Sequence, residues 1–93
     1  MVQISAIKMI EDEKGWVFDV LVQSELEKTR HTVSLSKDDY ISLTTKKIST
    51  EDFVKRCFQF LLDRESASQI KESFDISEIS KYFPEFENKI KNI

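Results

Sequence analysis

The chain is poor in the residues on which several common chemistries depend. Its 93 residues include one glycine, one proline, one cysteine and one histidine. Phosphate-cradling loops and dinucleotide fingerprints need several glycines so that backbone can close on the ligand; Gly15 alone builds neither. One histidine and one cysteine cannot make a structural zinc site within a single chain. A lone cysteine forms no internal disulfide, which fits a reducing compartment. The Gly-x-Ser-x-Gly elbow of serine hydrolases is missing, and the acidic run Glu11-Asp12-Glu13 lacks EF-hand spacing. No apolar run approaches the roughly 18 residues that span a bilayer.

Positive charge is not in excess either. Seven Lys/Arg stand against eight Asp/Glu in residues 1–50, and seven against nine in residues 51–93, for a net charge of −3. Without a basic stripe or tail, the balance argues against a nucleic-acid or anionic-membrane partner. Met1-Val2-Gln3-Ile4-Ser5 has no charged stretch leading into an apolar run of about 7–15 residues. No secretory signal is expected there, and the expected location is cytoplasmic. Together these features predict a protein that is not an enzyme, with no catalytic residues, no cofactor and no metal.

What is present reads as one globular domain over residues 1–93, with 40% hydrophobic and 33% charged residues. Residues 2–11, rich in Ile and Val, predict a first strand. Its alternation slips near Ala6–Ile7, the mark of a bulge or of apolar contacts on both faces. Gly15 follows in a hairpin turn. Trp16, Phe18, Val20 and Val22 then alternate with Val17, Asp19, Leu21 and Gln23, predicting a second strand over 16–23. A third, over 30–35, puts His31, Val33 and Leu35 on one side. Three strands with short links predict an antiparallel meander.

Helical signals follow. Ser36 opens a helix over 37–44. Ser49 caps a longer one over 50–65, with Asp52 in the capping-box position and Ile48 placed to staple onto Phe53. At 3.6 residues per turn, Phe53, Val54, Cys57, Phe58, Phe60, Leu61 and Leu62 cover an arc of roughly 200°, wider than an ordinary surface helix needs. Such a helix requires cover on two sides. Residues 67–73 allow a further turn around Ile70. Asp75 with Glu78 predicts a helix over 75–82, ending before Pro84, which in turn opens a last one over 84–91. Strands first and helices afterwards predict an α+β fold with the helices on one sheet face.

The aromatic residues exceed what one sheet face and one helix absorb, and Val17 and Leu21 lie opposite the main apolar row. Trp16, Val17, Leu21 and Phe86 are therefore the candidate surface for a protein partner or a second copy of the chain. The alternative is weak nucleic-acid binding through Lys46, Lys47, Lys55 and Arg56, which flank or lie on the main helix. Against it, that helix begins with Glu51 and Asp52, and Asp52 and Arg56 pair at i,i+4 as a solvated face. A third reading, an enzyme using His31 and nearby carboxylates, rests on one titratable ring. Cys57, inside the apolar arc, reads as a small hydrophobe.

The segments 51–64, Ser73-Phe74-Asp75-Ile76-Ser77 and Tyr82-Phe83-Pro84-Glu85-Phe86, behind a Trp-containing strand, resemble a family of short uncharacterised bacterial and archaeal proteins. The resemblance covers most of the chain from Trp16 onward. It implies that residues 74–86 are integral to a compact domain. It carries no activity.

Overall fold

Chain order alone nearly dictates the sheet. In the computed structural model, which describes residues 2–44 and 48–91, β1 (Gln3–Glu11), β2 (Gly15–Gln23) and β3 (Lys28–Ser36) form the expected meander. A fourth strand, β4 (Ser73–Asp75), joins the far edge parallel to β3, giving the order β1-β2-β3-β4. Four helices complete the described chain: α1 (Lys37–Leu43), α2 (Thr50–Leu62), α3 (Ile79–Tyr82) and α4 (Phe86–Lys91).

The β1–β2 turn is built by Asp12. Its carboxylate accepts from the backbone N–H of Lys14 (2.8 Å) and Gly15 (3.1 Å), and its own N–H donates to the Gly15 carbonyl (2.9 Å). Gly15 is required by crowding: a Cβ there would lie 2.1 Å from the Leu35 carbonyl oxygen on β3. The bulge sits further along β1 than the alternation suggested. Register runs regularly through Lys8↔Phe18 and resumes at Ile10↔Val17, leaving Met9 as the extra residue.

Phe18 and Val20 on β2 pair with Val33 and His31 on β3, and Val22 pairs with Thr29; Phe18, Val20, Val22, Val33 and His31 face inward and are buried. α2 covers it, and Phe53, Val54, Cys57, Phe58, Phe60 and Leu61 are all buried. Both long caps form as expected. Ser36 Oγ accepts from Asp39 N–H (3.0 Å) and Ser49 Oγ from Asp52 N–H (3.1 Å). α2 ends at Leu62, three residues before the expected 65. Its last turn is closed by Arg64, whose Nη1 donates to the Phe60 carbonyl (3.1 Å) while the guanidinium stacks 3.6 Å from the Phe60 ring centre and meets Glu85 (3.1 Å).

The largest departure lies at residues 73–82, where one helix over 75–82 was expected. Ser73–Asp75 is instead the strand β4, followed by a 3₁₀ turn (Ile76–Glu78) and only then α3. The cause is the open edge of β3: Val33 pairs with Phe74, and Thr32 N–H donates to the Glu72 carbonyl (2.8 Å). The capping pair itself is present. Asp75 accepts from Ser77 N–H (3.0 Å) and Glu78 reaches back to Asp75 N–H (2.9 Å), opening the 3₁₀ turn. The turn allowed around Ile70 appears as another 3₁₀ segment, Ala67–Gln69. The last helix begins at Phe86, two residues after Pro84.

Replacing Gly15 with Ala should destabilise the fold by about 1–3 kcal/mol, because the new methyl displaces β3 backbone that has no free space. Urea unfolding of Gly15→Ala beside Lys14→Ala checks this; equal midpoints would refute the crowding.

Candidate functional site

A sheet covered on one side leaves the other side to be explained. The outer row carries Ile7 and Ile10 from β1, Val17, Asp19 and Leu21 from β2, and Arg30, Thr32 and Ser34 from β3. Toward β3 it is polar, with an Arg30–Asp19 ion pair at 3.3 Å. Toward the edge strand it is apolar: Ile7, Met9 and Ile10 are 59%, 62% and 54% exposed, beside half-buried Val17 and Leu21. Three large apolar side chains adjoining on one edge strand form a patch, which scattered surface residues do not.

The four residues expected to form a partner surface are not brought together. Val17 and Leu21 do lie on the outer face. Trp16 faces inward, half-buried edge-on against Tyr40 (5.4 Å between ring centres), which in turn meets Phe53 at 5.9 Å. Phe86 is a correction: it is fully buried, packed on Phe60 at 5.0 Å, and offers no surface. The residues that reasoning from sequence missed, Ile7, Met9 and Ile10, were signalled by the broken alternation in the first strand. Of the alternative basic set, Lys46 and Lys47 lie outside the described residues, and Lys55 and Arg56 are half-buried on α2.

On the helical side, an open cleft of about 360 Å³ lies between the end of α2, the chain leading into β4, and α3. Leu61, Ile70, Phe74, Ile79 and Phe83 supply its apolar lining, with Glu65, Lys71, Glu78 and Tyr82 at its mouth. His31 fixes the wall that carries Lys71. Its Nδ1 donates to the Lys71 carbonyl (2.8 Å), so in the neutral ring Nε2 accepts from the Thr29 hydroxyl (2.9 Å). The ring is buried against Phe58 and lines neither this cleft nor a smaller depression of about 190 Å³ at the β1–β2 turn. Cys57 is fully buried, and burial pushes its thiol far up, so the thiolate needed for nucleophilic work is disfavoured.

Asp75 joins β4 to β3. It accepts from Ser34 Oγ (2.5 Å) and from the hydroxyl (2.6 Å) and N–H of Ser77. Burial pushes its carboxyl up, but the bonds from Ser34 and Ser77 outweigh this and hold it below the ordinary value.

Compared with family models, curated proteins and solved structures, the chain matches none. The chemistry must be read from geometry alone. Among the described residues, no three His, Cys, Asp or Glu are grouped to hold a metal, and no helix is long and apolar enough to cross a membrane.

Because Asp75 is lowered in the folded state, its contribution is complete above the ordinary carboxyl value and is lost as pH falls through the lowered one. Asp75→Asn should therefore be less stable than wild type near pH 6, by up to about 1 kcal/mol, the scale of a helix cap. That gap should shrink below about pH 4. Urea titrations across this range test it, and a gap independent of pH would refute the role.

Proposed function

We propose that the chain works by protein–protein contact through the outer sheet face, with a second copy of itself as the partner. The observation that supports this is the apolar strip of Ile7, Met9 and Ile10 on the edge strand, continued by Val17 and Leu21. Burying such side chains yields roughly 25 cal/mol per Å² of apolar surface, a gain that a monomer forgoes.

The contact is face to face. Strand addition along β1 is opposed by two features that natural edges use against it. Met9 bulges the strand, and Lys8, paired with Glu11 at 3.2 Å, puts a charge in the inward-facing row of the edge. The polar half of the face, with Arg30 and Asp19, then forms the rim.

Sedimentation equilibrium at micromolar concentration should show a dimer that Ile7→Lys and Ile10→Lys each convert to monomer with unchanged far-ultraviolet dichroism. A wild-type chain that stays monomeric throughout would remove the self-association reading.

A further inference from the structure

We propose that the cleft on the helical side is a binding site for a small amphipathic cation: an aromatic or branched-alkyl group ending in a primary ammonium. The site is separate from the outer sheet face. Its volume of about 360 Å³ is at the small end of the range for ligand sites and suits a single ring or branched chain. The walls come from three different elements. Leu61 lies in the last turn of α2, Phe74 lies on β4, and Ile79 belongs to α3. The chain leading into β4 is held from behind by the His31 bond to the Lys71 carbonyl.

Charge at the mouth selects the sign of the ligand. Lys71 is already engaged: its Nζ lies 3.5 Å from Glu78 and 5.0 Å from the centre of the Tyr82 ring. Glu78 is engaged as well, through Lys71 and through Asp75 N–H. Gln69 spends its carbonyl oxygen on Ser66 N–H (3.0 Å). The half-buried Glu65 carboxylate makes no hydrogen bond or ion pair among the described residues. Among the charged lining residues two acids face one base; Lys81, just outside the lining, acts on Glu78, and Glu65 is the group that still lacks a counter-charge. An anion would have to pull Lys71 from Glu78 and face Glu65, whereas an ammonium completes the set while its apolar body rests on the small apolar area that the otherwise buried Leu61, Phe74 and Ile79 leave at the cleft floor. Tyr82, more than half exposed, borders the cleft.

Three probes of similar size separate the possibilities: 2-phenylethylamine, 2-phenylethanol and 3-phenylpropionate, titrated to millimolar concentration into the full chain with amide shifts as readout. The amine should bind tightest and shift resonances of residues 65–83, the alcohol should bind more weakly, and the carboxylate weakest. Glu65→Gln should weaken the amine about threefold, the size of a partly exposed ion pair, and leave the alcohol unchanged. Its melting temperature should equal that of wild type. The proposal is overturned if the carboxylate binds as well as the amine, if Glu65→Gln leaves amine affinity unchanged, or if no probe shifts these residues.

Discussion

Everything in this molecule depends on the burial of α2 against the inner face of the sheet, with Phe58 at the centre. Its ring lies 5.3 Å from that of His31 on β3 and 5.9 Å from that of Phe74 on β4, while the helix backbone comes closest to β1. One side chain thus ties an antiparallel strand to the parallel one added last. A helix with so wide an apolar arc is unstable in water by itself and needs cover on both flanks. The sheet supplies one flank. The segment from Ile70 to Ile90 supplies the other, with Phe83 and Phe86 against Phe60.

That arrangement sets the character of the two surfaces. Because the helices of the described residues lie on one side, β1 and β2 keep an exposed outer row, and its apolar members are the surface proposed for contact. The second flank of α2 includes short pieces, a strand of three residues and a helix of four, and a cleft remains between them and the end of α2. This open cleft is the one proposed to take a ligand. His31 belongs to this account as a fastener. Buried and bonded through both ring nitrogens, it holds in place the chain that forms the cleft wall.

Much of the fold was legible because its signals are local and repeated. The alternation from Trp16 to Gln23 specified both the strand and its buried row, and Ser36 and Ser49 announced their helices by chemistry that acts within three residues. β4 was not legible. Three residues are too few to show a period, and Phe74-Asp75 carries a cap signal that is genuine but opens a 3₁₀ turn after a strand. What made it a strand was the vacant edge of β3, some forty residues away in sequence and invisible to local reading. Of the surface proposed for contact, the sequence pointed to Val17 and Leu21, whereas exposure at Ile7, Met9 and Ile10 depended on where the bulge fell. Phe86 failed as a surface residue for the opposite reason. Its helix is short, and its apolar side chain was needed to cover Phe60. The cleft could not be foreseen, since it joins Glu65, Lys71 and Tyr82 through tertiary packing alone.

Native-state hydrogen exchange at single-amide resolution tests the dependence on α2 most directly. The amides of Val20 on β2, Val33 on β3 and Phe58 on α2 should exchange only through global opening, with a common free energy equal to that of unfolding by urea. Amides of α2 that exchange through a separate, lower-energy opening while β2 and β3 stay protected would contradict the claim that the helix and sheet form one cooperative unit.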